Sequence, residues 1–104
     1  MGPEAKVKLT IKHYLRSLDA CWWFMPAAHG YGVNGIPDFI GCYRGVFFGI
    51  EAKAVGKRAR ATVLQQQSIR GINDALGWAL VADDLSQVIE MFRLIDLSLG
   101  AVAA

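Results

Sequence analysis

A chain of 104 residues suffices for one domain around a single core, and its make-up, 54% hydrophobic and 19% charged, is that of ordinary globular protein. No apolar run approaches the ~18 residues of a membrane helix, which argues against a membrane-spanning protein, and the start of the chain lacks a signal-peptide pattern, so the expected setting is the cytoplasm. The net charge of +2 hides an asymmetry: residues 1–70 hold ten of the eleven Lys/Arg against four acids, or +6, and residues 71–104 hold Arg93 against five acids, or −4.

Such polarity suits a polyanion meeting the first two thirds of the chain, although a sequence pI of 8.7 falls short of a dedicated nucleic-acid binder. Cys21 and Cys42 stand alone, with no metal-ligand or redox spacing, and read as buried thiols.

Residues 3 to 18 read as a helix, with Pro3 at its first position and Val7, Ile11, Leu15 and Leu18 at helical spacing. Lys6, Lys8, Lys12 and Arg16 lie mostly off that stripe. Glu4 falls on the inward face of the first turn, where it either reaches a site at the sheet or complements the positive helix end. Cys21-Trp22-Trp23-Phe24-Met25 reads as a strand ended by Pro26, belonging to the core or to a subunit interface. Residues 29 to 35 form a loop rich in glycine, from which His29 and Tyr31 could touch a substrate.

Phe39 to Tyr43 and Val46 to Ile50 are two apolar, β-rich runs around Arg44-Gly45, the pattern of a hairpin. With a two-residue loop Tyr43 faces Val46, and each further pair keeps the same sum, so Asp38 stands opposite Glu51. A three-residue loop would put Asp38 opposite Ile50 and turn it to the other face. Lys53, two residues after Glu51, shares its face. Two carboxylates with Cβ atoms about 5 Å apart stay ionised cheaply only with a cation between them. Their hard oxygens suit Mg²⁺ or Mn²⁺, and Lys53 beside them could orient a water or neutralise an attacked phosphate. The plainer alternative is a cross-strand ion pair.

Lys57, Arg58 and Arg60 follow in a basic loop one step beyond this site, suited to sequence-blind phosphate contacts. Thr62 and Gln65 form a T-x-x-Q capping box at the start of a second helix. Gln65 also leads the stripe Gln65, Ile69, Ile72, Leu76, which turns an amide toward the sheet, and Gly77 closes the helix. Trp78 to Ala82 reads as a buried strand. Asp84 opens a D-x-x-Q box into a last helix with Leu85, Val88, Ile89 and Phe92 inward, so Asp83 and Asp84 read as caps. From residue 95 or 96 onward the chain reads as a frayed tail or one packed on a second subunit.

The resulting order, helix, three strands, helix, strand, helix, describes an α/β domain with a mixed sheet flanked by helices. It resembles the PD-(D/E)xK restriction-endonuclease-like core. Over nearly the whole chain, Pro3-Glu4-Ala5-Lys6-Val7-Lys8, Gly30-Tyr31-Gly32, Gly35-Ile36-Pro37-Asp38, Ile50-Glu51-Ala52-Lys53 and Thr62-Val63-Leu64-Gln65 resemble the motifs of the virus-type replication-repair nuclease family, in its stand-alone phage type. The resemblance implies that Asp38, Glu51 and the Ala52 carbonyl ligate Mg²⁺ or Mn²⁺, that Lys53 is catalytic, and that Glu4 and Gln65 complete the site. It also implies a homodimer similar to Holliday-junction resolvases. Val63, where proline is usual, and Trp78, where glycine is common, depart from the family pattern at helix ends, away from the acids. The expected function is a metal-dependent DNA endonuclease acting on branched or structured DNA. The alternatives are a nuclease of linear or single-stranded DNA and a non-cutting DNA-binding accessory subunit.

Overall fold

The structure, a computed structural model, describes residues 1–27 and 34–103, with side chains to residue 100. His29, Tyr31 and the Gly30-Tyr31-Gly32 loop lie outside the described residues. Pro3, pre-set for the first helical turn, opens α1 (Pro3–Ser17), whose stripe Val7, Ile11 and Leu15 is buried. Then come β1 (Cys21–Phe24), β2 (Phe39–Tyr43) and β3 (Val46–Ala52), a single 3₁₀ turn at Arg58–Arg60, α2 (Val63–Asp74), β4 (Trp78–Ala82) and α3 (Leu85–Ala103).

The four strands lie in the order β1-β2-β3-β4, antiparallel except for the parallel pair of β3 and β4. Parallel neighbours need a long crossover, and α2 supplies it. The chain is therefore an α/β domain with a mixed sheet and helices on both faces. Among the described residues no helix is long and apolar enough to cross a membrane.

Tyr43 pairs with Val46, so the hairpin loop has two residues. Arg44 and Gly45 take φ of 51° and 84°, the left-handed pair of a type I′ turn. Arg44 is an unfavourable residue there, but its N–H donates to the Ala20 carbonyl (2.9 Å) and its guanidinium pairs with Asp96 (2.7 Å).

One face of the sheet, carrying Phe39, Tyr43, Phe48, Ile50 and Ala52, packs on α1 and on Val88, Met91, Phe92 and Ile95 of α3. Phe92 sits at its centre, edge-to-face with Tyr14, Tyr43 and Phe48 at centroid distances of 5.8, 4.9 and 5.1 Å. On the opposite face α2 packs, among the described residues, chiefly over β3 and β4.

Several local expectations need correction. The left-handed residue ending α2 is Leu76 (φ 70°), 87% exposed, and Gly77 follows it with its N–H on the Ile72 carbonyl. Leu76 thus leaves the inward stripe. Glycine is required one place later because a Cβ at Gly77 would lie 2.8 Å from Ile72 and 3.1 Å from the Phe47 carbonyl. Ile89 is exposed, and Met91 and Ile95 take the inward positions of α3. Among the described residues the chain stays helical past residue 95: Ile95 is fully buried, Leu99 packs beside the same core, and Asp96 of α3 accepts from the Tyr43 hydroxyl.

Gln87 pairs reciprocally with Asp83, while Asp84 caps the Ser86 N–H, so the capping is shared between the two aspartates. Cys42 is exposed and Cys21 half-buried, because β2 turns Cys42 to the face that α2 does not reach.

Candidate active site

Continuing the β2–β3 register beyond Phe39 and Ile50 brings Asp38 opposite Glu51 and Pro37 opposite Ala52. Proline has no N–H to give, so the ladder must stop there. The Asp38 side chain takes over, its Oδ2 accepting the Ala52 N–H at 2.9 Å. N–H and C=O of one strand residue point to the same side, so the Ala52 carbonyl also emerges toward Asp38, with no N–H on Pro37 to meet it. A turn of two residues and one proline thus deliver two carboxylates and a backbone carbonyl to one place.

Glu51 is 4% exposed and is the buried charged residue among those described. Burial, then the neighbouring Asp38 carboxylate, pushes its pKa from the ordinary 4.5 up to about 7, against the pull of Lys53 and Lys8. Lys53 stands with Nζ 3.7 Å from Glu51 Oε2, and its N–H is fixed on the Ala82 carbonyl of β4 at 2.8 Å. Gln65 fills both roles foreseen for it. Its Oε1 accepts the Thr62 N–H (2.9 Å) to complete the capping box, and its Nε2 donates to Glu51 Oε2 (3.1 Å). Gly35, at φ 84°, lies so close to α2 that a Cβ would be 2.6 Å from the Leu64 carbonyl carbon, which locks the approach to Asp38 against the first turn of α2.

The structure adds a residue the sequence reading left off the inward stripe. Lys8 places Nζ 3.4 Å from Asp38 Oδ1 and 3.3 Å from Glu4 Oε2. Burial works against its ammonium, yet the Asp38 and Glu4 carboxylates outweigh it and raise its pKa from 10.5. Its only signal in the sequence was the i,i+4 spacing from Glu4. Glu4 reaches the site through Lys8.

Of the basic loop, Lys57, Arg58 and Arg60 are all exposed. Arg58 donates through Nε to the Val81 carbonyl at 2.6 Å and so also braces β4, and the loop is tied down by the Gly56 N–H on Asp83. Among the described residues Lys57 and Arg60 make no ion pair. The expected contact of Tyr31 lies outside the described residues.

Two carboxylates and a backbone carbonyl form a hard oxygen set that fits a divalent ion of the Mg²⁺ type, which is often held by one or two carboxylates plus waters and phosphate. Among the described residues no three His, Cys, Asp or Glu side chains gather as a ready-made cage. Burial first, and the Asp38 carboxylate second, make the ionised form of Glu51 costly, and a cation at the pair would offset that cost.

Beside the acids, and sharing Pro37 with them, lies an apolar cavity of about 430 Å³ between Ile36, Ile40, Phe47 and the Ser68–Ala75 side of α2. It adjoins the sheet face on which, among the described residues, Trp22 is 67% exposed and Phe24 and Phe47 are also exposed. The partner strand alternation explains this: Trp23 turns inward onto Phe39, and Trp22 and Phe24 turn out. No protein-family model, curated protein or solved structure matches this chain.

Proposed function

We propose that the chain is a Mg²⁺- or Mn²⁺-dependent DNA endonuclease that hydrolyses phosphodiester bonds in branched or structured DNA. The observation that carries this reading is the convergence of Asp38, Glu51, Lys53 and Gln65 at the end of the β2–β3 hairpin, with the Ala52 carbonyl beside them. When bound, a divalent ion supplies Lewis-acid stabilisation of charge on the attacked phosphate and lowers the pKa of a water. The chain's own residues do the rest. Gln65 holds Glu51 through its amide, the Ala52 N–H holds Asp38, and Lys53 places its Nζ next to the acids, where it can donate to a phosphoryl oxygen. Lys57 and Arg60, exposed one step beyond, suit the flanking phosphates and would make binding salt-dependent.

The test is cleavage of labelled four-way-junction and linear duplex DNA with Mg²⁺, Mn²⁺ or EDTA, beside Asp38→Ala, Glu51→Ala and Lys53→Ala. Metal-dependent cutting of the junction is expected, with a loss of about 10³-fold in Asp38→Ala and Glu51→Ala. Folded variants that cut as well as wild type would end this reading.

A homodimer belongs to the same proposal. The open apolar face of Trp22, Phe24 and Phe47 supports it, since such faces on soluble domains commonly meet a partner. Sedimentation equilibrium is expected to give twice the chain mass, and a monomer at working concentrations would remove the dimer from the proposal.

A further inference from the structure

Each acid of the pair has its own lysine. Glu51 has Lys53, one residue past the end of β3, with a side chain 14% exposed. Asp38 has Lys8, reaching across from α1 with a side chain 30% exposed, and Lys8 alone has a second carboxylate within reach. Both Asp38 oxygens are engaged in this arrangement: Oδ2 accepts the Ala52 N–H and Oδ1 faces the Lys8 ammonium.

We infer that Lys8 is a displaceable internal cation, occupying Asp38 Oδ1 until a divalent ion takes that oxygen, and that Glu4 is the berth to which its ammonium then withdraws. The inference rests on reading the acid pair as a cation site. A lysine suits the task because its ammonium is a compact charge on a flexible stem. A part-exposed ion pair is weak enough to open, and a doubly charged ion between two carboxylates is the stronger competitor. Glu4 and Lys8 are one helical turn apart, so the ammonium stays paired when it leaves Asp38. Glu4 is on this account a positioning residue that acts through Lys8, in place of the direct part in the site expected from the sequence.

The experiment is calorimetric titration of Mn²⁺, without DNA, into wild type, Lys8→Met, Lys12→Met, Glu4→Gln and the Lys8→Met/Glu4→Gln double variant, with melting curves to show that each is folded. Lys12 lies one turn further along the same helix and controls for loss of a positive charge. The expected result is binding about five-fold tighter in Lys8→Met and within about two-fold of wild type in Lys12→Met. Glu4→Gln should weaken binding in the wild-type background and have no effect once Lys8 is gone, the coupling expected of residues that act as a unit. Equal affinity in wild type and Lys8→Met, or the same gain in Lys12→Met, overturns the inference and leaves the cation site standing. An equal loss from Glu4→Gln in both backgrounds overturns the role given to Glu4. No Mn²⁺ binding by any form overturns the cation site, and the inference with it.

Discussion

The two faces of the sheet are built to different ends. The face toward α1 and α3 is lined by Phe39, Phe48, Ile50 and Ala52, all without exposure, and closes over three edge-to-face contacts of Phe92. On the face toward α2 the same strands place Asp38, Glu51 and Lys53 at one end, and toward β1 they leave Trp22, Phe24 and Phe47 open. Because side chains alternate along a strand, one run of seven residues, Val46–Ala52, serves both faces at once. Stability is concentrated on one face, while the other holds a buried acid whose pKa is raised, a state that opposes folding.

That division can be broken by experiment. Phe92→Ala, on the closed face, should cost about 3–5 kcal/mol in urea unfolding, the usual penalty for emptying an aromatic site in a packed core. It should leave Mn²⁺ affinity unchanged at temperatures where the protein is folded, and a lost site would mean that the faces are not separable.

Glu51→Gln, on the other face, should stabilise. A carboxyl whose folded pKa is raised from 4.5 to about 7 binds more protons folded than unfolded between those values, so metal-free stability falls as pH rises through that window. The amide is neutral throughout, so in EDTA at pH 8 the variant should exceed wild type by on the order of 2 kcal/mol, and the gap should close near pH 4.5. A variant less stable than wild type at pH 8 would refute the account of Glu51.

The smallest effect belongs to the turn end of the hairpin. Arg44, then the Tyr43 hydroxyl, hold the Asp96 carboxyl below its ordinary 3.8, so its stabilisation is present above that value and is lost as pH falls through the lower folded pKa. Asp96→Asn should therefore lose stability at pH 7, within the roughly 1 kcal/mol of exposed pairs, and match wild type near pH 2. Urea melts at the two pH values check it.

What could be read from the sequence was what short spacing decides. Arg44-Gly45 set the turn, the turn set the register, and the register brought Asp38 to Glu51. Thr62 and Gln65 announced their capping box in the same way. Lys8 was not legible, because which residues at the rim of α1 reach the sheet depends on how the helix is rotated against it, a property of packing. Leu76 was missed for a related reason: close approach to Ile72 and Phe47 claims the glycine for position 77, and the left-handed turn falls to a residue with no local preference for it. The outward half of β1 was equally hidden, since its alternation shows which rings share a face but not whether anything covers them.

The missing Cβ of Gly35 has one further consequence. Asp38 descends from the segment that crosses α2 at that point, and Gln65 rises from the same turn of α2, so both arms of the site are measured from a single backbone crossing. Tolerance to substitution at this crossing is thus a property of the whole assembly: a larger residue there would displace acid and amide together.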